Sequence, residues 1–111
     1  MSRDHDSIND MLECCRLIRS WTGGISFDQF ARNDMMKAAI LHEIIIIGEA
    51  TTRLSPEFKK SNGHIDWREI KDMRNHLVHH YDEIIVERVW ETANSDIPEL
   101  VRSLEPLIPP P

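Results

Sequence analysis

Asn33-Asp34-Met35-Met36-Lys37-Ala38-Ala39-Ile40-Leu41-His42-Glu43-Ile44-Ile45-Ile46-Ile47-Gly48-Glu49-Ala50-Thr51-Thr52-Arg53-Leu54 reads as one long helix. Ala39, Ile46 and Ala50 form one stripe along it, and Ile45 and Ile47 widen that stripe. A helix apolar over most of its circumference belongs in the middle of a bundle, with other helices around it. Its run Ile44-Ile45-Ile46-Ile47 is the longest apolar run in the chain and far too short to span a bilayer.

Other helices are legible on both sides. Ser26 followed by Gln29 is a capping-box pattern, opening a segment that holds Phe27 and Phe30 and leads into the long helix. Upstream, Ile8, Met11, Leu12, Cys15 and Ile18 recur at helical spacing and predict a helix over about residues 4–20, ended by Gly23-Gly24. Downstream, Ser55-Pro56 breaks the long helix, and residues 59–63 read as a polar loop. Asp66 with Glu69 is a second capping box, opening a helix over residues 67–79. The last helical region starts near Asp82-Glu83 and turns Ile85, Val89, Ala93, Ile97, Leu100, Val101 and Leu104 to one side. Pro98 kinks it or restarts it after Asp96. The expectation is an all-α fold: an up-and-down bundle of four main helices with short extra ones. It forms one domain over residues 1–108, followed by a disordered proline tail at 109–111.

The 111 residues carry a net charge of −6, which argues against broad nucleic-acid binding. The charge is uneven. Residues 53–80 hold six Lys/Arg against four Asp/Glu, a local +2, and the rest holds seven against fifteen, or −8. Four of the six histidines also fall in the positive stretch. A basic site on an acidic body suits a small anionic target or a short RNA strand. It equally suits partner choice by charge, or an incidental imbalance on a solvated surface. Cys14 and Cys15 are adjacent, a spacing that rarely satisfies disulfide geometry, so free thiols in a reducing cytoplasm are expected. Met1-Ser2-Arg3-Asp4-His5-Asp6 leads into a polar, charged segment with no signal-peptide character.

The chemistry concentrates in Arg74-Asn75-His76-Leu77-Val78-His79-His80-Tyr81. Arginine is a permanent cation whose planar fork of donors suits phosphate. Histidine exchanges protons near neutral pH. Together they suggest proton transfer beside a phosphate, without a metal. Histidines at a helix end also cap carbonyls or favour the negative end of the dipole, which is the structural alternative. Asn75 and His79 are four apart and share a helix face, so the amide can orient the imidazole. Arg74 and His79 are five apart, about 140° around an ideal helix. Both reach one small substrate only if the helix ends near His79, if Arg74 reaches round, or if a second subunit completes the site.

Metal readings are weaker. His42-Glu43 lacks the second histidine one turn later that a zinc protease needs, because Ile46 stands there. His76 and His79 are three apart, but no nearby cysteine completes a set. No metal and no cofactor are expected.

The chain resembles the HepT-like ribonuclease toxins of the HEPN superfamily. Arg74, four residues, His79, one residue and Tyr81 match that family's motif without a gap. Ile47-Gly48-Glu49-Ala50 and Asp66-Trp67-Arg68-Glu69-Ile70 precede it in family order. Val89-Trp90 and Ile97-Pro98-Glu99-Leu100 follow it. The resemblance implies a HEPN-type bundle and a homodimer that brings two motifs into one cleft. It also implies metal-independent RNA cleavage by Arg74 and His79, with Asn75, His76 and His80 in support. The implied partner is a small nucleotidyltransferase antitoxin of the MNT type that transfers AMP to Tyr81. Neither membrane nor DNA is an expected partner. Some HEPN proteins are non-catalytic binding subunits of a nucleotidyltransferase, and that is the alternative function. The intact Arg74/His79 pair favours the enzyme over it, and over a helical dimer with no RNA role.

Overall fold

The computed structural model describes residues 3–79 and 85–109, the side chains of Val78 and His79 excepted. Its central element is helix α3 (Asp34–Thr52), packed between α1 (Arg3–Thr22) and α5 (Trp67–His79). Asn33 caps α3: its side-chain oxygen accepts the N–H of Met36 at 3.0 Å, a donor that has no carbonyl within the helix. Ile40, Ile44, Ile47 and Thr51 are buried at helical spacing, with Leu41, Gly48 and Ala50 beside them.

This corrects the expected stripe. Ala50 is buried, but Ala39 and Ile46 are only half-buried. Four consecutive isoleucines leave no polar gap from which the helix could be phased, so the neighbouring helices decide which of them go inside. With α1 and α5 on either side of α3, only Met35 and Ile85 are exposed large hydrophobics among the described residues. The apolar breadth of α3 thus finds most of its cover within the chain.

The connections follow their local chemistry. At α2 (Phe27–Ala31), Ser26 Oγ accepts the Gln29 N–H at 3.1 Å and Gln29 Oε1 accepts the Ser26 N–H at 2.9 Å, the reciprocal capping box expected. The short helix brings Phe27 and Phe30 against Trp90, with ring centroids 6.0 and 5.1 Å apart. Gly24, at φ 83°, makes the turn after α1 that a side chain would resist.

Residues 59–61 are not loop but the end of α4 (Pro56–Ser61). Ser55 Oγ accepts the Phe58 N–H at 3.2 Å and Pro56 occupies the first turn, so the pair read as a breaker also starts a helix. The expected start of α5 holds, with Asp66 Oδ1 accepting the Glu69 N–H at 2.9 Å. Trp67 Nε1 donates to the carbonyls of Asn62 at 3.1 Å and Lys59 at 3.3 Å, tying the α4–α5 connection to α5.

Beyond residue 84 the chain forms α6 (Val86–Glu91), a π-helical turn (Thr92–Asp96) and α7 (Ile97–Leu104). The expected kink is this π turn. Pro98, in the first turn of α7, has no N–H to offer the carbonyl four residues back. α7 packs on α1, and one cluster of buried side chains runs from Ile8 and Ile18 through Ile40 and Ile47 to Val101 and Leu104. No described helix is long and apolar enough to cross a membrane. The expected helix start at Asp82-Glu83 lies outside the described residues, as do the last two prolines of the tail.

Candidate functional site

α5 carries the motif, and it is helical from Trp67 through His79. The five steps from Arg74 to His79 therefore keep their separation of about 140° on one helix. Arg74 and Asn75 are half-buried, His76 is exposed and Leu77 is buried. The His79 side chain lies outside the described residues, as do His80 and Tyr81 altogether.

Arg74 lies against α3. A Cβ placed on Gly48 would overlap Arg74 Cβ and stand 2.6 Å from its Cγ, while Arg74 Cα is 3.5 Å away, an ordinary contact. The two helices meet here at a distance that only a residue without a side chain permits. A glycine inside a helix costs roughly 1 kcal/mol relative to alanine, so its presence marks a packing requirement. Arg74 Nε is buried and has no hydrogen-bond partner among the described residues. An N–H removed from water with no acceptor among the described residues is unfavourable in isolation.

His76 stands elsewhere. It is two residues, about 200°, from Arg74 on α5. It lines a cavity of about 630 Å³ with Ile44, Asp72, Met73, Arg88 and Val89. A second cavity, about 240 Å³, lies between α5 and α7 and includes Ile70, Met73 and Leu100. Asp66, Glu69, Asp96 and Glu99 also line it, with His64. The Asp96 carboxyl is pushed above its ordinary value by burial, then by Glu91 and Glu99. A carboxylate-lined cavity repels phosphate, so neither its size nor its apolar floor makes it a place for RNA. Lys71 is exposed one turn before Arg74 on the same side of α5, which makes the Arg74 side the electrostatically suitable one.

Glu49 is exposed, and none of the ion pairs among the described residues involves it. No group of three or more His, Cys, Asp or Glu among the described residues is placed to hold a metal ion. Gly48 allows this close helix approach, and the sequence alone does not identify Arg74 as the residue that approaches. The available signal is a glycine inside the helix, directly after the run of four isoleucines and one turn before the helix ends.

Comparison with known proteins gives the family. The family model described as "Ribonuclease HepT-like" matches residues 11–107. A protein of Thermococcus cleftensis named "Probable ribonuclease HepT" is 35% identical over 108 residues, covering 96% of this chain and 98% of its own. A protein of Caldanaerobacter subterraneus subsp. tengcongensis named "Putative RNase TTE0752" is 31% identical over 101 residues, covering 91% and 90%. No solved structure gives a significant match. The chain belongs to the HepT-like ribonuclease family of the HEPN superfamily.

Proposed function

We propose that this protein is a metal-independent endoribonuclease and the toxin of a type VII-like toxin–antitoxin pair. The observation that carries the reading is the run from Arg74 to Tyr81, in family order, with Arg74 Nε lacking a hydrogen-bond partner among the described residues. Arg74 and His79 are the catalytic residues. Neutral His79 takes the proton from a ribose 2′-hydroxyl. The alkoxide attacks the adjacent phosphorus, a 2′,3′-cyclic phosphate forms, and the 5′-oxygen leaves and takes up a proton. Arg74 stabilises the charge that builds on the phosphoryl oxygens. Asn75, on the His79 face of α5, orients the imidazole. His76 and His80 are supporting groups. DNA, lacking the 2′-hydroxyl, is spared.

A homodimer with both motifs facing one cleft answers the wide angle between Arg74 and His79 on one helix. The partner is a nucleotidyltransferase antitoxin that attaches AMP to Tyr81. The whole chain acts as one domain in the cytoplasm, where thiols such as Cys14 and Cys15 stay reduced.

The test is cleavage of a defined RNA oligonucleotide in EDTA, with product ends read by mass spectrometry. The expected ends are a 2′,3′-cyclic phosphate and a 5′-hydroxyl, and the same oligonucleotide with 2′-deoxyribose at the cut site stays whole. Activity that disappears in EDTA and returns with a divalent ion overturns the mechanism, as does cleavage of the deoxy substrate.

A further inference from the structure

We infer that Gly48 is a positioning residue for Arg74. Its bare Cα is what lets α5 lie on α3 so that the Arg74 guanidinium is held against the protein, with its Nε–H buried and without a partner among the described residues. This inference rests on the ribonuclease reading of Arg74.

Arg74 is a long, flexible side chain on an acidic protein, and in water its charge would sample many directions. For it to stabilise charge at a phosphoryl group, its donors must already be near where the oxygens will be. Packing over Gly48 supplies that restriction. The Cβ and Cγ of Arg74 occupy the space where any other residue at 48 would put its own Cβ, so the first part of the side chain is fixed by the α3 backbone. The buried Nε then has little freedom to turn back to water. Gly48 has no polar side chain to offer substrate, so its role is exercised wholly through Arg74.

The arrangement has a specific consequence. With an alanine at 48, the clash falls on Arg74 Cβ, which rotation of the side chain cannot move. The helices must part or α5 must turn, and either displaces the guanidinium. If position 74 then lost its side chain as well, the nearest Arg74 atom to the new methyl would be Cα at 3.5 Å, and the clash would be gone.

The experiment combines RNA cleavage kinetics with thermal unfolding for four proteins: wild type, Gly48→Ala, Arg74→Gly and the double variant. A fifth, with a substitution at Ile18 in α1 chosen to match the Tm of Gly48→Ala, serves as control. Kinetics are run well below every Tm. The expected result is a kcat for Gly48→Ala lowered by about tenfold to a hundredfold with KM little changed, as displacement of a catalytic group by about 1 Å produces. The Ile18 control should keep the wild-type kcat. The alanine should lower Tm in the wild-type background and leave it unchanged, or raise it, in the Arg74→Gly background.

Wild-type kcat in Gly48→Ala overturns the inference, and so does an equal loss in the Ile18 control. If Gly48→Ala alone does not fold, the double variant should. A double variant that also fails shows that Arg74 is not the group Gly48 accommodates. Failure of the underlying reading looks different: the wild-type chain then cuts no RNA, or Arg74→Ala cuts it at the wild-type rate.

Discussion

The Asp4 carboxylate accepts two hydrogen bonds from Ser55, one from the backbone N–H at 2.7 Å and one from the hydroxyl at 2.8 Å. Ser55 in turn caps α4 by accepting the Phe58 N–H, so the start of α1 and the start of α4 are held by one connected set of bonds. The backbone N–H contributes most to lowering the Asp4 pKa below its ordinary 3.8, and the hydroxyl comes next. A lowered folded-state pKa means that the stabilisation is fully present above the unfolded value and is lost as pH falls through the folded one. Asp4→Ala should therefore lower stability by about 1 kcal/mol at pH 7, a modest figure because the group is partly exposed. Urea titrations of both proteins should show that difference constant down to about pH 5 and shrinking below pH 4. A difference that grows as pH falls would contradict the assignment.

The two cysteines are built to be inert. Burial pushes the Cys14 thiol up to about 11, aided by Glu43, and the Cys15 thiol up to about 12, aided by Cys14. Only the thiolate reacts with a disulfide reagent. At pH 8 the native protein should react far more slowly than a free thiol does, and two thiols per chain should appear at once in denaturant. Rapid labelling of the native protein would show that α1 opens readily.

Trp67 gives its indole N–H to the Asn62 and Lys59 carbonyls and packs its ring on Phe58, with centroids 6.4 Å apart. Trp67→Phe removes the donor, and the Asn62 and Lys59 carbonyls keep only the backbone N–H groups of Ile65 and Asn62. It should cost about 0.5–1.5 kcal/mol. That corresponds to a drop of several degrees in Tm for a domain of this size. A change of less than a degree would mean that the α4–α5 connection does not depend on this bond.

Much of this fold was readable because its helix starts are marked by local chemistry. Ser26 with Gln29 and Asp66 with Glu69 need only neighbours three residues away: the first pair forms the full reciprocal box, and in the second Asp66 accepts the Glu69 N–H. Ser55-Pro56 carries the same kind of signal, but a proline after a long helix reads as a stop, and the start it also marks was passed over. The facing of α3 was not legible, because four isoleucines in a row give no polar side to orient by. The site divides the same way. The spacing from Arg74 to Tyr81 is a property of sequence. The contact of Arg74 with Gly48 depends on how α5 meets α3, across 25 intervening residues. His76 is close to Arg74 in sequence yet turns toward α6, which the helical angle between them already implies.

Tyr81 is the expected point of control. An adenylyl group there, two residues from His79, adds a base and one phosphodiester charge that would pair with Arg74 and occupy the place of the RNA phosphate. Incubation with the cognate nucleotidyltransferase and ATP should shift the mass of the peptide holding Tyr81 and silence cleavage. Tyr81→Phe should cleave RNA at much of the wild-type rate and escape that silencing. Modification at another residue, or modified protein with undiminished activity, would count against this role.

The most direct test of the proposed enzyme is the initial rate of RNA cleavage in EDTA by wild type, Arg74→Ala and His79→Ala, each first shown by circular dichroism to be folded. The wild type should cleave. Both variants should lose at least about a hundredfold in rate, the scale expected when a positioned acid–base group or a charge-stabilising donor is removed. A wild-type protein that does not cleave RNA, or either variant cutting at the wild-type rate, would contradict the assignment of Arg74 and His79 as the catalytic pair.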